Sequence, residues 1–190
     1  MGVPDQARDQ RLHDVACIAV PLEASSGCPA RMLIAQWALE SQWGSKPVGH
    51  ANYFGIKYDP KRHTRYAVVT TEEWFTEQQI AAWDQAHPES PAQKTGKTEG
   101  FLINVLLDDR FADYDSLEAA CQDYAWLITE GAPYRAAWES YLATRDADAL
   151  MAAVAKSYAT APSYALLVRE IAGQANVTVA IAAAGRAWTS

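Results

Sequence analysis

The helix-forming stretch at residues 30–43, ARMLIAQWALESQW, constrains the fold more than any other part of the chain. Strong helix formers fill most of it. Pro29 precedes it, where a first helical turn tolerates proline, and Gly44 follows it as a natural C-terminal stop. The pattern predicts a largely apolar helix whose single carboxylate, Glu40, lies near the C-terminal end.

Helical patterns also dominate the rest of the chain. Residues 5–23 place apolar side chains mostly at three- and four-residue intervals, which predicts an amphipathic first helix. The final segment, NVTVAIAAAGRAWTS, is compatible with either a helix or a strand. Four further helices are predicted, over residues 115–129, 133–143, 146–158 and 162–172.

Two β-branched segments predict a small β-hairpin. TRYAVVTT at residues 64–71 and GFLINVLL at residues 100–107 are typical of strands, whereas residues 45–63 predict an irregular loop. Between the strands, the first half of residues 72–99 is predicted to be helical and the second half to be a loop. The chain has no internal repeat, so we expect one mainly α domain over residues 1–190.

The composition excludes several classes of partner. The chain has 16 basic and 23 acidic residues, a formal net charge of −7, and no run of Lys or Arg, which argues against nucleic acid or an anionic membrane surface. No segment approaches the roughly 20 apolar residues of a membrane span. The N-terminus lacks the basic start and continuous apolar region of a secretory signal, so we expect another route if the protein acts outside the cytoplasm.

Cysteine and histidine do not form a recognisable site. Cys17, Cys28 and Cys121 lack metal-binding spacing and are expected to be buried thiols, with a Cys17–Cys28 disulfide as the alternative in an oxidising compartment. A cysteine–histidine amidase could use Cys28 or Cys121, but no local sequence supports that pairing. We therefore predict no metal site.

Glu40 is the strongest candidate for chemistry. Burying a charged carboxylate on an apolar helix is costly, and the C-terminal end of a helix disfavours negative charge. Nearby aromatic residues, among them Trp37 and Trp43, would raise the pKa of Glu40 further. A carboxylic acid with a raised pKa can protonate a glycosidic oxygen near neutral pH. An ordinary surface glutamate would have the same spacing, so both readings stay open from the spacing alone.

AQWALESQWG followed by NYFGIK resembles the signature of the bacterial N-acetylglucosaminidases of glycoside hydrolase family seventy-three, which includes flagellar rod-assembly muramidase domains and cell-wall autolysins. The matching positions are Leu39, Glu40, Ser41, Trp43, Gly44, Asn52, Phe54, Gly55, Ile56 and Lys57. VVTTEEWF, FADYDSLEAACQDYAWLI and SYATAPSYALLV resemble further family segments, so the likeness covers about residues 28–172. It implies a mainly α, lysozyme-like α+β fold with a small β-hairpin lobe beside the cleft.

The resemblance also implies the two catalytic carboxylates. Glu40 would be the general acid, and the hairpin strand would carry the second carboxylate, at Glu72 or Glu73. Because consecutive side chains of a strand face opposite sides, at most one of the two can point into the cleft. Counting from the two threonines favours Glu72. The hairpin departs from simpler family members by an insertion at about residues 74–100.

Four aromatic residues are predicted to contact substrate by the same resemblance. Flat rings stack on sugar faces, and tyrosine keeps a hydroxyl for hydrogen bonding. The family pattern indicates Phe54, Tyr158 and Tyr164, with Tyr124 as a further candidate.

The implied function is that of an endo-β-N-acetylglucosaminidase. Such an enzyme cuts the glycan strand of peptidoglycan after N-acetylglucosamine, without a cofactor, and we expect it to be monomeric. The alternatives are a muramidase or lytic transglycosylase on the same fold, and a non-catalytic module that binds or assembles cell wall. We expect action on the bacterial wall, in the periplasm or outside the cell, after delivery by phage lysis, by a secretion device or within a larger parent protein.

Overall fold

The computed structural model describes residues 5–158 and 164–189 of the chain. Within these residues the α-helices are α1 (Gln6–Ser26), α2 (Ala30–Glu40), α3 (Glu77–Ala86), α4 (Leu117–Glu130), α5 (Arg135–Thr144), α6 (Ala147–Tyr158), α7 (Tyr164–Ala172) and α8 (Ala175–Trp188). A short 3-10 helix, Ala132–Tyr134, precedes α5. The strands are β1 (Tyr66–Phe75), β2 (Gln93–Glu99) and β3 (Leu102–Ala112). The predicted mainly α class with a small antiparallel sheet is confirmed.

The chain forms two compact units. The first takes in the chain up to Ile56 and from Tyr114 onward, and the second is Lys57–Asp113. In the first unit, α2 is the central helix, because it packs against α1, α4, α7 and α8 and its residues 32–38 are all buried. A helix that is buried on every side belongs to a core.

The helix predictions for the first unit are largely confirmed. The predicted helices at 5–23, 115–129, 133–143 and 146–158 correspond to α1, α4, α5 and α6. The first two residues of the predicted helix at 162–172 lie outside the described residues, and α7 begins at Tyr164. The ambiguous C-terminal segment is helix α8, which packs on α1 and buries Val177 and Ala184. Those two residues are two helical turns apart and lie on one face.

The predicted end of α2 at residue 43 was wrong, because the helix ends at Glu40. Gln42 and Trp43 have left-handed backbone angles, with φ of 50° and 59°, and Gly44 has φ of 74°. Side chains other than glycine rarely adopt this conformation, so propensity alone predicts a longer helix. Glu40 is therefore the last helical residue of the central helix.

The second unit is a three-stranded antiparallel sheet with the order β1-β3-β2. The predicted pairing of the strands near 64–71 and 100–107 is confirmed, with Thr71 opposite Leu107. The predicted helical start at residue 72 was wrong, because β1 continues to Phe75 and α3 follows a capping box formed by Thr76 and Gln79.

Strand β2 was predicted to be a loop, which was also wrong. All seven of its residues are exposed, so the alternation of apolar and polar residues that indicates a half-buried strand is absent. Gly96 adds a left-handed backbone angle, with φ of 87°, inside the irregular pairing between Lys94 and Thr98.

All three cysteines are free thiols. Cys28 and Cys121 are buried as predicted, whereas Cys17 is exposed and the alternative Cys17–Cys28 disulfide is not formed. Burial raises the pKa of Cys28 and of Cys121. A raised pKa keeps a thiol protonated, which argues against the amidase alternative that needs a thiolate nucleophile.

No single helix of the described residues has the length and apolar character needed to cross a membrane. Within the described residues, one pair of helices, α7 and α8, passes that test when taken together. The pair is bent by 53° and passes by length and composition alone.

Candidate active site

Glu40 lies where the buried helix α2 ends in a tight left-handed turn. The Ser41 hydroxyl donates to the Trp37 carbonyl and accepts from the Gly44 backbone N–H at 2.9 Å, which closes the turn. A Cβ atom on Gly44 would lie 2.4 Å from Cζ2 of Trp37, so only glycine fits. The Glu-Ser-x-Trp-Gly sequence therefore builds a rigid end of the helix that carries Glu40.

The loop that follows is held by Asn52. Its buried amide accepts from the backbone N–H of Phe54 at 3.3 Å and of Ile56 at 3.1 Å, and donates to the Ile56 carbonyl at 2.9 Å. Gly55 within this loop has φ of 66°, and a Cβ atom there would lie 3.7 Å from Oε2 of Glu40. The Asn-x-Phe-Gly-Ile motif thus places a bare backbone segment beside one oxygen of the carboxyl group.

The Glu40 carboxyl is half-buried and hydrogen-bonded on one side. The Tyr164 hydroxyl donates to Oε1 of Glu40 at 2.5 Å. Burial raises the pKa of Glu40, and the hydrogen bond from Tyr164 partly opposes that rise. The direction agrees with the prediction from the sequence, and desolvation of the charged form is its main cause.

The four predicted aromatic residues lie together in the first unit. Phe54 stacks on Tyr124 with ring centroids 4.5 Å apart, and Tyr158 stacks on Tyr164 with centroids 6.1 Å apart. The Tyr158 hydroxyl donates to the Phe54 carbonyl, which ties helix α6 to the loop that holds Gly55.

Two of these rings are too deeply buried to stack directly on a sugar. Phe54 and Tyr124 are both 0% exposed, so neither offers a ring face to a substrate, and the prediction that they contact substrate does not fit the structure. They support the loop and the hydroxyl network instead. Tyr158 is partly exposed, whereas Tyr164 is 8% exposed and its hydroxyl bonds to the Glu40 carboxyl group.

Glu72 and Glu73 of the second unit lie on opposite faces of the sheet. The two side chains face opposite sides of β1, because Glu72 pairs with Leu106 and Glu73 with Val105. Val105 packs with Leu107 and with Ile80 of α3, so Glu73 lies on the sheet face that α3 covers. Glu72 lies on the other face.

Glu72 is an exposed carboxylate with a cationic partner. Lys97 of β2 donates to Oε1 of Glu72 at 3.1 Å. The hydrogen bond and charge of Lys97, together with the neighbouring Asn104 amide, lower the pKa of Glu72. The pKa of Glu72 is therefore shifted in the opposite direction from the pKa of Glu40.

Among the described residues, no group of three or more His, Cys, Asp or Glu side chains could hold a metal ion.

The family model for glucosaminidases, described as mannosyl-glycoprotein endo-beta-N-acetylglucosaminidase, matches residues 16–177. The chain belongs to the glucosaminidase family. The matched range includes the whole segment, about residues 28–172, that carries the resemblance to glycoside hydrolase family seventy-three, and that assignment is confirmed.

Relatives with known names are similar to this chain over most of its length. A probable N-acetylmuramidase of Lactococcus lactis subsp. lactis (strain IL1403) is 29% identical over 177 residues, covering 88% of this chain and 33% of the relative. The chain thus spans about a third of the length of the curated relatives that it matches.

Solved structures give the fold. A peptidoglycan hydrolase mutant from Sphingomonas sp. A1 superimposes with a TM-score of 0.61 at 24% identity, over 94% of this chain and 99% of the other. The glycoside hydrolase domain of Salmonella typhimurium FlgJ superimposes with a TM-score of 0.57 at 20% identity, over 98% of both chains. The predicted lysozyme-like fold class is confirmed.

Sequence reasoning missed one polar residue of this candidate site. Gln36 lies one helical turn before Glu40, is 1% exposed, and donates from Nε2 to the Tyr164 hydroxyl at 3.0 Å. A polar residue inside an otherwise apolar run, four positions before the acid, is the signal that could have indicated it.

Proposed function

We propose that the chain is a peptidoglycan hydrolase, an endo-β-N-acetylglucosaminidase that cuts after N-acetylglucosamine, and that it acts as one catalytic domain. The observation that carries the proposal is Glu40, a half-buried acid with a raised pKa at the rigid end of α2, with Oε2 beside the bare backbone of Gly55. A protonated carboxyl group in such a setting is the general acid that glycosidic cleavage requires.

In the proposed reaction, Glu40 donates its proton to the glycosidic oxygen as the bond from that oxygen to the anomeric carbon breaks. Positive charge then develops at the anomeric carbon. Glu72, which Lys97 keeps ionised, would stabilise this charge or accept a proton from the attacking water. In an inverting path, water adds its hydroxyl to the anomeric carbon and gives its other proton to Glu72. In an assisted path, the substrate acetamide attacks that carbon first, and the water that then displaces it returns a proton to Glu40. Proton NMR of fresh products separates the two paths, because the first inverts and the second retains the anomeric configuration.

A muramidase is the second candidate, because the Lactococcus lactis relatives are named as probable N-acetylmuramidases. The two activities cut different bonds of the same alternating glycan. The test is to digest purified peptidoglycan, reduce the products with borohydride and identify the reduced ends by mass spectrometry. We expect reduced N-acetylglucosamine ends. Reduced N-acetylmuramic acid ends would establish the muramidase, and anhydro ends would establish a lytic transglycosylase.

The site of action follows from the substrate. We propose that the protein works on the bacterial cell wall, as a monomer, because one chain carries both proposed carboxylates. Light scattering of the purified chain with and without soluble glycan fragments measures the oligomeric state. A dimer that forms only with the fragments would contradict the proposed monomer.

The proposed roles predict a bell-shaped dependence of cleavage on pH. Activity falls on the alkaline side as Glu40 loses its proton, and the raised pKa of Glu40 moves this limb above that of an ordinary glutamate. Activity falls on the acidic side as Glu72 gains a proton, and the lowered pKa of Glu72 moves that limb downward. A pH–rate series on soluble glycan fragments measures both limbs.

Replacing Tyr164 by Phe is expected to move the alkaline limb to higher pH. The Tyr164 hydroxyl stabilises the charged form of Glu40, so its loss raises the pKa of Glu40 further. The maximal rate is expected to fall about 10-fold, since one hydrogen bond to a developing carboxylate is lost. An alkaline limb that moves to lower pH would contradict the assigned role of the hydroxyl.

A further inference from the structure

A continuous chain of hydrogen bonds runs through the buried core to Glu40. The Tyr124 hydroxyl donates to Oε1 of Gln36, Nε2 of Gln36 donates to the Tyr164 hydroxyl at 3.0 Å, and that hydroxyl donates to Oε1 of Glu40. Gln36 and Glu40 lie one turn apart on α2, while Tyr124 comes from α4 and Tyr164 from α7. Three elements of the core therefore meet at this chain.

The direction of this hydrogen-bond chain follows from which groups have a proton to donate. Each tyrosine hydroxyl has one proton to donate, and Tyr124 is fully buried, so its proton needs a protein acceptor. If the Gln36 amide were flipped, its nitrogen would face Tyr124 and the Tyr124 proton would lose that acceptor. Its oxygen would then take the Tyr164 proton away from Glu40. Only the observed orientation gives both hydroxyl protons an acceptor.

We propose that Gln36 and Tyr124 are positioning residues that aim the Tyr164 proton at Oε1 of Glu40 and thereby confine the acidic proton of Glu40 to Oε2. Oε1 already accepts a hydrogen bond, so a proton placed there would face the donated hydroxyl proton. Oε2 is the oxygen that lies beside Gly55, a residue with no side chain to cover it. The catalytic part of this proposal rests on the proposed role of Glu40, whereas the direction of the chain does not.

The same arrangement stabilises the state that forms when the proton leaves. When Oε2 gives its proton to the glycosidic oxygen, Glu40 becomes a carboxylate, and the bond from Tyr164 becomes charge-assisted and stronger. An interaction that strengthens as charge develops lowers the barrier instead of only binding the ground state. Because Gln36 already occupies the acceptor side of the Tyr164 hydroxyl, no reorientation is needed at that moment.

Among the described residues, two tyrosines interact with Glu40, and neither titrates in the same range. Tyr164 of α7 bonds to it, and Tyr158 of α6 interacts with its charge. Burial is the largest cause that raises the pKa of both hydroxyls, so both stay neutral while Glu40 titrates. A titration followed at the Glu40 carboxyl carbon therefore reports on Glu40 itself.

The experiment follows that carbon by NMR in protein labelled with ¹³C-glutamate, with the signal assigned by its absence in Glu40→Gln. Two variants break the hydrogen-bond chain at residues that do not themselves bond to Glu40. Tyr124→Phe keeps the ring that stacks on Phe54, and Gln36→Met keeps the length of the side chain. Tyr141→Phe is the matched control, since it removes the hydroxyl of another buried tyrosine, which packs on Trp138 of α5.

We expect the titration midpoint of Glu40 to rise in Tyr124→Phe and Gln36→Met and to stay unchanged in Tyr141→Phe. In activity assays, Gln36→Met should lower kcat about 10-fold with little change in KM, because the loss falls on the transition state. Thermal melts show which variants fold. An unchanged midpoint in a folded Tyr124→Phe or Gln36→Met overturns the proposal. If the midpoints rise in both variants but the wild-type protein releases no glycan fragments, the hydrogen-bond chain is supported and the proposed function alone is overturned.

Discussion

Replacing Glu40 by Gln is expected to lower the release of glycan fragments by about 10³-fold or more, since general acid catalysis and the electrostatics of the site are lost together. Glutamine keeps the shape of the side chain and can still accept the hydrogen bond from Tyr164 through its oxygen. It has no acidic proton to give to the leaving oxygen. Purified peptidoglycan and mass spectrometry of the reduced products measure the loss.

The matched control for this prediction is Glu139→Gln on α5, where the glutamate is exposed. It removes the same charge and should leave fragment release unchanged. Glu40→Gln should unfold at the same or a higher temperature near neutral pH. The raised pKa of Glu40 means that the folded state binds its proton more tightly than the unfolded state, so the wild-type protein loses stability as pH rises between the two pKa values. Equal release by wild type and a folded Glu40→Gln would remove Glu40 from the proposed mechanism.

Much of the helical unit could be predicted because its signals are local. Neighbouring residues alone predict the run that forms α2 and the stop at Gly44. They also predict the helix-forming segments before and after that run. The early end at Glu40 could not be predicted, because Gln42 and Trp43 adopt left-handed backbone angles that their residue types rarely take. Strand β2 was missed for a different reason, since an entirely exposed strand has no hydrophobic period.

The candidate site was predictable where the motif itself contains the chemistry. Glu40, and the Asn52 and Gly55 that shape its surroundings, all stand in the quoted motif. Gln36 stands there too, but its partners are 88 and 128 residues away in the sequence, so no local pattern indicates what it bonds to. For the same reason the sequence could not show that Phe54 and Tyr124 are fully buried against each other.

Glu72 and Glu73 offer a second test that uses adjacent residues. Glu72→Gln is expected to lower kcat for glycan cleavage by about 10²-fold, because the charge that would balance the developing positive carbon is removed. Glu73→Gln is expected to change it by about twofold or less, because Glu73 points to the sheet face that α3 covers. Steady-state rates on soluble glycan fragments measure both variants under the same conditions.

The pair controls itself, since the two variants remove the same charge at consecutive positions of one strand. A larger loss of kcat in Glu73→Gln than in Glu72→Gln would reverse the assignment, and no loss in either variant would exclude a hairpin carboxylate from the reaction.

Lys97→Met tests whether Glu72 must be charged to act. It keeps Glu72 in place but removes the cation that holds its pKa down, so the acidic limb of the pH profile should move to higher pH while activity near neutral pH is largely kept. That outcome would show that Glu72 acts in its charged form, as a base or a stabiliser of positive charge must.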